Sequence, residues 1–235
     1  MINTRDFNVF SIHHLNILFY LILLGVFLLL YAKNTSQKNE RILRKLLAIT
    51  IPALYIVEIL FAVFLGYYTF YEFFPMHLCS LMVILCPVAL LTKNQQIFEI
   101  TYLYGLFGAI VALVFPALVK DIYYDFRIAI FMLKHGLLAI APLYMVIVNK
   151  MSPSYKGMIK SFVIVVSFLL LIVYPLNLIA DYNYVYLMAG PANTPLQAIE
   201  NALGYRGYLF VLGIFSIIIP IVFYLPFISK STIKK

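Results

Sequence analysis

The chain has 235 residues, of which 64% are hydrophobic and only 11% charged, whereas soluble domains carry roughly a quarter of their residues as charge. That deficit excludes a soluble globular protein, and solid apolar runs in place of ~10-residue alternating segments exclude a transmembrane barrel. The net charge of +8 does not indicate nucleic acid, because the positive residues sit in short stretches between apolar runs, where they act as topology signals.

The segments read as follows in chain order. Met1 to Ile12 is a short polar head. No basic n-region precedes the first apolar run and no small-x-small site follows it, so no cleaved signal peptide is expected. His13 to Ala32 is span one, and Lys33 to Lys45 is a strongly basic loop. Leu46 to Tyr67 is span two, with Pro52 and Glu58 inside it. Tyr68 to Pro75 is an aromatic stretch suited to an interfacial belt. Met76 to Leu91 is a short span three with Pro87 inside, and proline there removes a backbone hydrogen bond and favours a kink. After the Thr92 to Gln96 turn comes span four, Glu99 to Val119, whose Gly105 and Gly108 permit close helix approach. Lys120 to Arg127 is a loop of mixed sign, and Ile128 to Val148 is span five, containing Lys134 and His135. Asn149 to Lys160 is a basic connection, Ser161 to Ala180 is span six, Asp181 to Arg206 is the longest polar connection, and Gly207 to Ser229 is span seven.

Loops one, three and five together with the C-terminal tail hold twelve of the 17 lysines and arginines. The positive-inside rule then places the N-terminus outside and the C-terminus in the cytoplasm. The expected architecture is all-α, a single seven-helix transmembrane domain over residues 1–235, multi-pass in the cytoplasmic membrane. Cys79 and Cys86 lie seven residues apart in one predicted helix, about 10 Å along its axis, too far for a disulfide.

Ionisable groups inside a bilayer are costly and mark functional sites by default. With this topology His14, Glu58, His77, Cys79, Lys134, His135, Asn177 and Asn183 all fall in the outer half, and the cytoplasmic half is expected to be nearly free of such groups. Each residue alone also has a structural reading. His13 and His14 suit the interface, Glu58 suits a proton-bearing carboxyl bonded to a neighbouring helix, Cys79 suits a small core hydrophobe, and Lys134 suits an outward-snorkelling cation.

Taken together, these residue types suit acyl transfer. A histidine can take the proton of a thiol and make a nucleophile at neutral pH, and a carboxylate can orient that histidine. His77 and Cys79 are about 200° apart round a helix, so His135 is the better base for Cys79 and His77 is left a supporting role. A zinc site built from His14, Glu58, His77, Cys79 and His135 is the alternative, but no HExxH-type spacing is present, so no metal or other cofactor is expected.

The pattern Phe7-x-x-Phe10-Ser11-x-x-His14-Leu15, Glu58 in span two, Pro75-x-His77-Leu78-Cys79-Ser80, His135 in span five and Asn183-Tyr184 after span six resembles the YwaF-like bacterial integral-membrane family and, more distantly, eukaryotic transmembrane protein 164. The resemblance covers nearly the whole chain. It implies a seven-helix membrane protein and an acyltransferase role in phospholipid remodelling, with a cysteine and a histidine that correspond to Cys79 and His135. The chain departs from the family pattern in having no tryptophan after Glu58 and in having Asp181-Tyr182 before Asn183.

The functional expectation is a cysteine-dependent membrane acyltransferase. Cys79 is the nucleophile, His135 the general base and then acid, and Glu58 or His14 the group that orients the histidine. His77 supports the site, and Asn183 donates to an oxyanion or headgroup. The partner is a membrane phospholipid, with another lipid or a lipoprotein as acceptor. The competing expectation is a small-molecule or ion transporter or receptor whose polar cavity lies in its outer half.

Overall fold

The computed structural model describes residues 9–66, 68–116, 124–192 and 194–228. Arg5, Lys120, Asp121 and the tail lysines Lys230, Lys234 and Lys235 lie outside the described residues, as do the side chains of Glu72 and Asp125. Among the described residues the structure is helical throughout, with no strand.

Local signals set most helix ends. Ser11 caps α1 (Ile12–Asn34) by accepting from the His14 N–H at 3.3 Å. Ser36 does the same for α2 (Gln37–Phe64) through the Asn39 N–H. Each thereby satisfies one of the backbone donors that a helix N-terminus leaves open. Only Thr35 and Ser36 separate the two helices. The basic stretch Lys33 to Lys45 is therefore the end of α1 and the first two turns of α2, not a loop. Gly66, with φ of 76°, follows the end of α2 in the left-handed conformation that glycine adopts without a Cβ clash. The aromatic stretch beyond it holds one helical turn, α3 (Phe70–Phe73), with Tyr68 stacked on Phe73 at 5.4 Å.

The next helix, α4 (Leu78–Thr92), ends at Lys93 in the left-handed conformation. Asn94 then caps α5 (Gln95–Val114), which widens into a π turn at Thr101–Gly105. α6 spans Tyr124–Ile147. α7 (Tyr155–Ala180) contains a second π turn at Leu169–Val173, just before Pro175. α8 (Pro195–Phe227) breaks at Gly204, whose φ of 67° and ψ of 174° are not helical. Part of the expected polar connection Asp181 to Arg206 is thus the start of α8, from Pro195 onward.

Six of these helices are long and apolar enough to cross a membrane. The seventh apolar helix, α4, has 15 residues, about 22 Å at 1.5 Å per residue, less than the ~30 Å hydrocarbon core. Its position accounts for its length. Met82, Val83, Cys86, Ala89 and Leu90 on α4 are all buried, packed mainly against α2, α5 and α6, so the helix meets protein on several sides. Burial grades outward from this centre. It is 67% for the apolar window of α6 and 56% for that of α5, against 11% for α1 and 17% for α7 and α8. Close approach at the centre depends on glycine. A Cβ on Gly105 would lie 2.7 Å from the Met82 sulfur, and one on Gly136 would lie 2.9 Å from Leu21.

One end of the bundle, here called the Glu40 end, carries polar groups that the outer-half expectation did not include. Glu40 Oε1 accepts from Arg44 Nε at 3.0 Å, the Tyr144 hydroxyl at 3.1 Å and Asn149 Nδ2 at 3.1 Å, and Arg44 Nη1 donates to the Leu90 carbonyl at 2.5 Å. The nearby Glu99, 2% exposed, accepts from Gln95 Nε2, the Ser154 N–H and the Ser154 hydroxyl at 2.9 to 3.1 Å. Gly157 stands where a Cβ would collide with this carboxylate. Buried polar groups therefore stand at both ends of the bundle. Sequence position assigned Glu40 and Arg44 to a loop and Glu99 to a helix start, whereas the helices begin earlier and carry all three inward.

Candidate functional site

The opposite end, here called the His77 end, holds the residues singled out by sequence. His77 precedes the first helical residue of α4, with extended backbone (φ −67°, ψ 144°) and no side-chain capping bond. Its ring turns to the connection after α7, where Nδ1 accepts from the Val185 N–H at 3.2 Å. That bond requires an unprotonated Nδ1 and so places the ring proton on Nε2. The expected divergence of His77 and Cys79 rested on both lying in one helix. His77 lies outside that helix, so the 100° step per residue does not relate the two side chains.

Cys79, half-buried, faces the next helix. A Cβ on Gly108 of α5 would meet its Sγ at 3.4 Å. Both cysteines are free thiols. Across α4 stands α6, with Lys134 and His135 side by side. Lys134 was expected to snorkel outward. It is instead 6% exposed, ion-paired with Glu58 of α2, and placed 5.1 Å over the Tyr55 ring. The reason is that α2 presents a carboxylate and an aromatic face at the depth where the ammonium emerges, and the pair together is less costly in a low-dielectric interior than a lone charge. Glu58 therefore holds Lys134. The Lys134 ammonium is within electrostatic range of the Cys79 thiol.

His135, 3% exposed, bonds through Nδ1 to the Phe131 carbonyl one turn earlier at 2.8 Å, and its ring packs on Phe131 at 4.0 Å between centroids. A carbonyl can only accept, so Nδ1 carries the proton and Nε2 the lone pair. Among the described residues no hydrogen bond joins His135 to Cys79. His14 bonds across to α5. Nδ1 accepts from the Phe10 N–H at 3.0 Å and Nε2 donates to the Leu113 carbonyl at 2.8 Å, tying the start of α1 to the end of α5. Asn183 closes its own loop, accepting from the Met188 N–H and donating to the Ala189 carbonyl.

The connection after α7 was read as a polar loop and proves to be a braced structure. Asn177, 1% exposed, clamps Tyr184 from both sides, with Oδ1 accepting its N–H at 2.7 Å and Nδ2 donating to its carbonyl at 3.0 Å. The Tyr184 hydroxyl donates to Tyr71 O at 2.7 Å and that of Tyr208 to Tyr186 O at 2.6 Å. Burial pushes the Tyr184 phenol up to about 12, with Tyr182, Tyr71 and Tyr55 adding to the shift, so it remains a neutral donor at physiological pH. These bonds hold Val185 and Tyr186 at φ of 57° and 58°, a conformation that is a genuine outlier for a β-branched residue and is associated with functional sites. Beneath lies an open cavity of about 630 Å³ lined by His77, Asn177, Asp181, Tyr182, Asn183 and Tyr186 among others. Cys79 is not part of its lining. Sequence reading missed this cavity; the departure Asp181-Tyr182 from the family pattern was the available signal.

Among the described residues no group of three or more His, Cys, Asp and Glu side chains is placed to hold a metal ion. No curated protein and no solved structure matches the chain. The family model of the TMEM164 family matches residues 9–225. With nearly the whole chain inside that match and six membrane-crossing helices in the fold, this multi-pass membrane protein belongs to the TMEM164 family.

Proposed function

We propose that the protein is a cysteine-dependent acyltransferase of the cytoplasmic membrane that moves acyl chains between lipids. It crosses the bilayer seven times, α4 being the short seventh span, with its N-terminus outside. Cys79 attacks the ester carbonyl of a phospholipid and forms a thioester, expelling the lysolipid alkoxide, which takes a proton from His135. An acceptor hydroxyl, of another lipid or a lipoprotein, then attacks the thioester and restores the thiol. His135 is the base in the attack and the acid at departure. The observation that carries this reading is the convergence at one end of the bundle of the Cys79 thiol, the buried Lys134–Glu58 pair and a histidine whose Nε2 holds the lone pair. A base needs that tautomer. The test is transfer of a labelled acyl chain by purified protein. Cys79→Ser and His135→Ala each abolish it on this reading, and unchanged transfer in both removes the assignment.

A second reading, a transporter or receptor, has support of its own. Transport needs polar groups along the whole path, and Glu40, Arg44 and Glu99 supply them at the end opposite Lys134 and Glu58. Against it, these groups bond to neighbouring helices as fixed ties. A thioester trapped on Cys79 separates the two readings.

A further inference from the structure

The cavity at the His77 end joins an aromatic cluster to a carboxylate. The His77 ring lies 5.4 Å from that of Tyr184 and 5.5 Å from that of Tyr186, and Tyr182 packs on Tyr184 at 4.6 Å. Asp181, at the left-handed end of α7, stands exposed on the lining and forms no ion pair among the described residues. The amide oxygens of the lining asparagines already accept from the loop, Asn177 Oδ1 from the Tyr184 N–H and Asn183 Oδ1 from the Met188 N–H. His77 contributes no positive charge, because its Nδ1 accepts from the Val185 N–H.

We infer that this cavity binds an organic ammonium group, held by the Asp181 carboxylate and the faces of Tyr182 and Tyr186, with His77 Nε2–H free to donate to an oxygen of the same molecule. A carboxylate beside aromatic faces attracts a cation twice, by charge and by the ring quadrupole. A neutral histidine donor beside it suits the anionic or ester oxygen of a zwitterion. The volume of about 630 Å³ lies within the usual range for small-ligand sites. The ammonium comes either from a lipid headgroup or from a soluble amine. The headgroup source rests on the proposed lipid chemistry, whereas the ammonium site itself does not.

The experiment reads binding and not turnover. Wild-type and Cys79→Ser proteins are reconstituted in nanodiscs of equimolar phosphatidylethanolamine and phosphatidylglycerol, re-extracted in detergent, and the retained lipid is counted by mass spectrometry. Direct binding of tetramethylammonium chloride, against sodium chloride, is measured in phosphatidylglycerol nanodiscs. The expected result is a preference of roughly tenfold for the amine lipid, corresponding to about 1.4 kcal/mol, alike in both proteins. The preference falls to near parity in Asp181→Asn, which keeps a residue tolerant of the left-handed conformation, and drops in Tyr182→Leu. Retention of amine lipid without tetramethylammonium binding assigns the site to a headgroup, and binding of the free ion assigns it to the ammonium alone. Equal retention of both lipids with no tetramethylammonium binding overturns the inference, as does a preference unchanged in both variants. Acyl transfer lost in Cys79→Ser with the lipid preference intact leaves both readings standing. Transfer that survives in Cys79→Ser removes the nucleophile and leaves the cavity untouched.

Discussion

At the Glu40 end a carboxylate is met by donors from its own helix, from α6 and from the residues just beyond it, while at the His77 end several polar groups keep an unused valence. Glu40 and Glu99 each accept three hydrogen bonds, and Asn149 Oδ1 is the one buried side-chain polar atom there without a partner among the described residues. Such groups lock helices together, because a carboxylate that accepts several hydrogen bonds in a low-dielectric interior resists opening. Among the described residues His77, by contrast, has one ring nitrogen bonded and the other available, as does His135, and Asp181 forms no ion pair. Burying polar groups is thus common to both ends. What distinguishes a candidate site is a buried or cavity-lining group whose hydrogen-bonding capacity the fold has not used.

The comparison can be broken by substitution. Glu40→Ala removes the shared acceptor of Arg44, Tyr144 and Asn149 and leaves Arg44 charged and unpaired, so the expected loss of stability is about 4 kcal/mol. Thermal unfolding in detergent reads it, and a change below about 1 kcal/mol shows that the Glu40 end is not the lock described. Lys134→Met is next, at about 3 kcal/mol, because Glu58 is left without its partner. The double variant Lys134→Met with Glu58→Leu recovers most of that stability but not acyl transfer. Recovery of both would make the pair structural only. The smallest effect is that of His77→Phe, about 1 kcal/mol, confined to the loop. Amide exchange at Val185 and Tyr186 rises while the bundle is unchanged; exchange unchanged at both positions means that the loop does not depend on His77.

Most of the fold is legible in composition and periodicity, and the errors have definite physical causes. Lys33 to Lys45 reads as a loop because of its charge, yet long basic side chains sit well on a helix that projects beyond the apolar layer, and serine caps at residues 11 and 36 mark the true starts. The short α4 reads as a span because it is apolar, whereas its 15 residues are packed among α2, α5 and α6. In the site, the concentration of Cys, His and Glu at one end is visible once the helices alternate in direction. That Lys134 turns inward to Glu58 is not visible, because burial of a lysine depends on what a different helix presents at that depth. The cavity is invisible for a similar reason. It depends on Val185 and Tyr186 adopting left-handed backbone, which no residue preference announces and which bonds from Tyr208 and His77 hold in place.

The claim on which the functional account depends is that Cys79 carries the acyl chain. Protein in the Cys86→Ala background, which removes the other thiol, is incubated with phospholipid bearing a labelled acyl chain, quenched in acid and digested. The account predicts label on the peptide containing Cys79, released by neutral hydroxylamine and absent in Cys79→Ser. Label that resists hydroxylamine, that persists in Cys79→Ser, or that never appears while lipid transfer continues would contradict it.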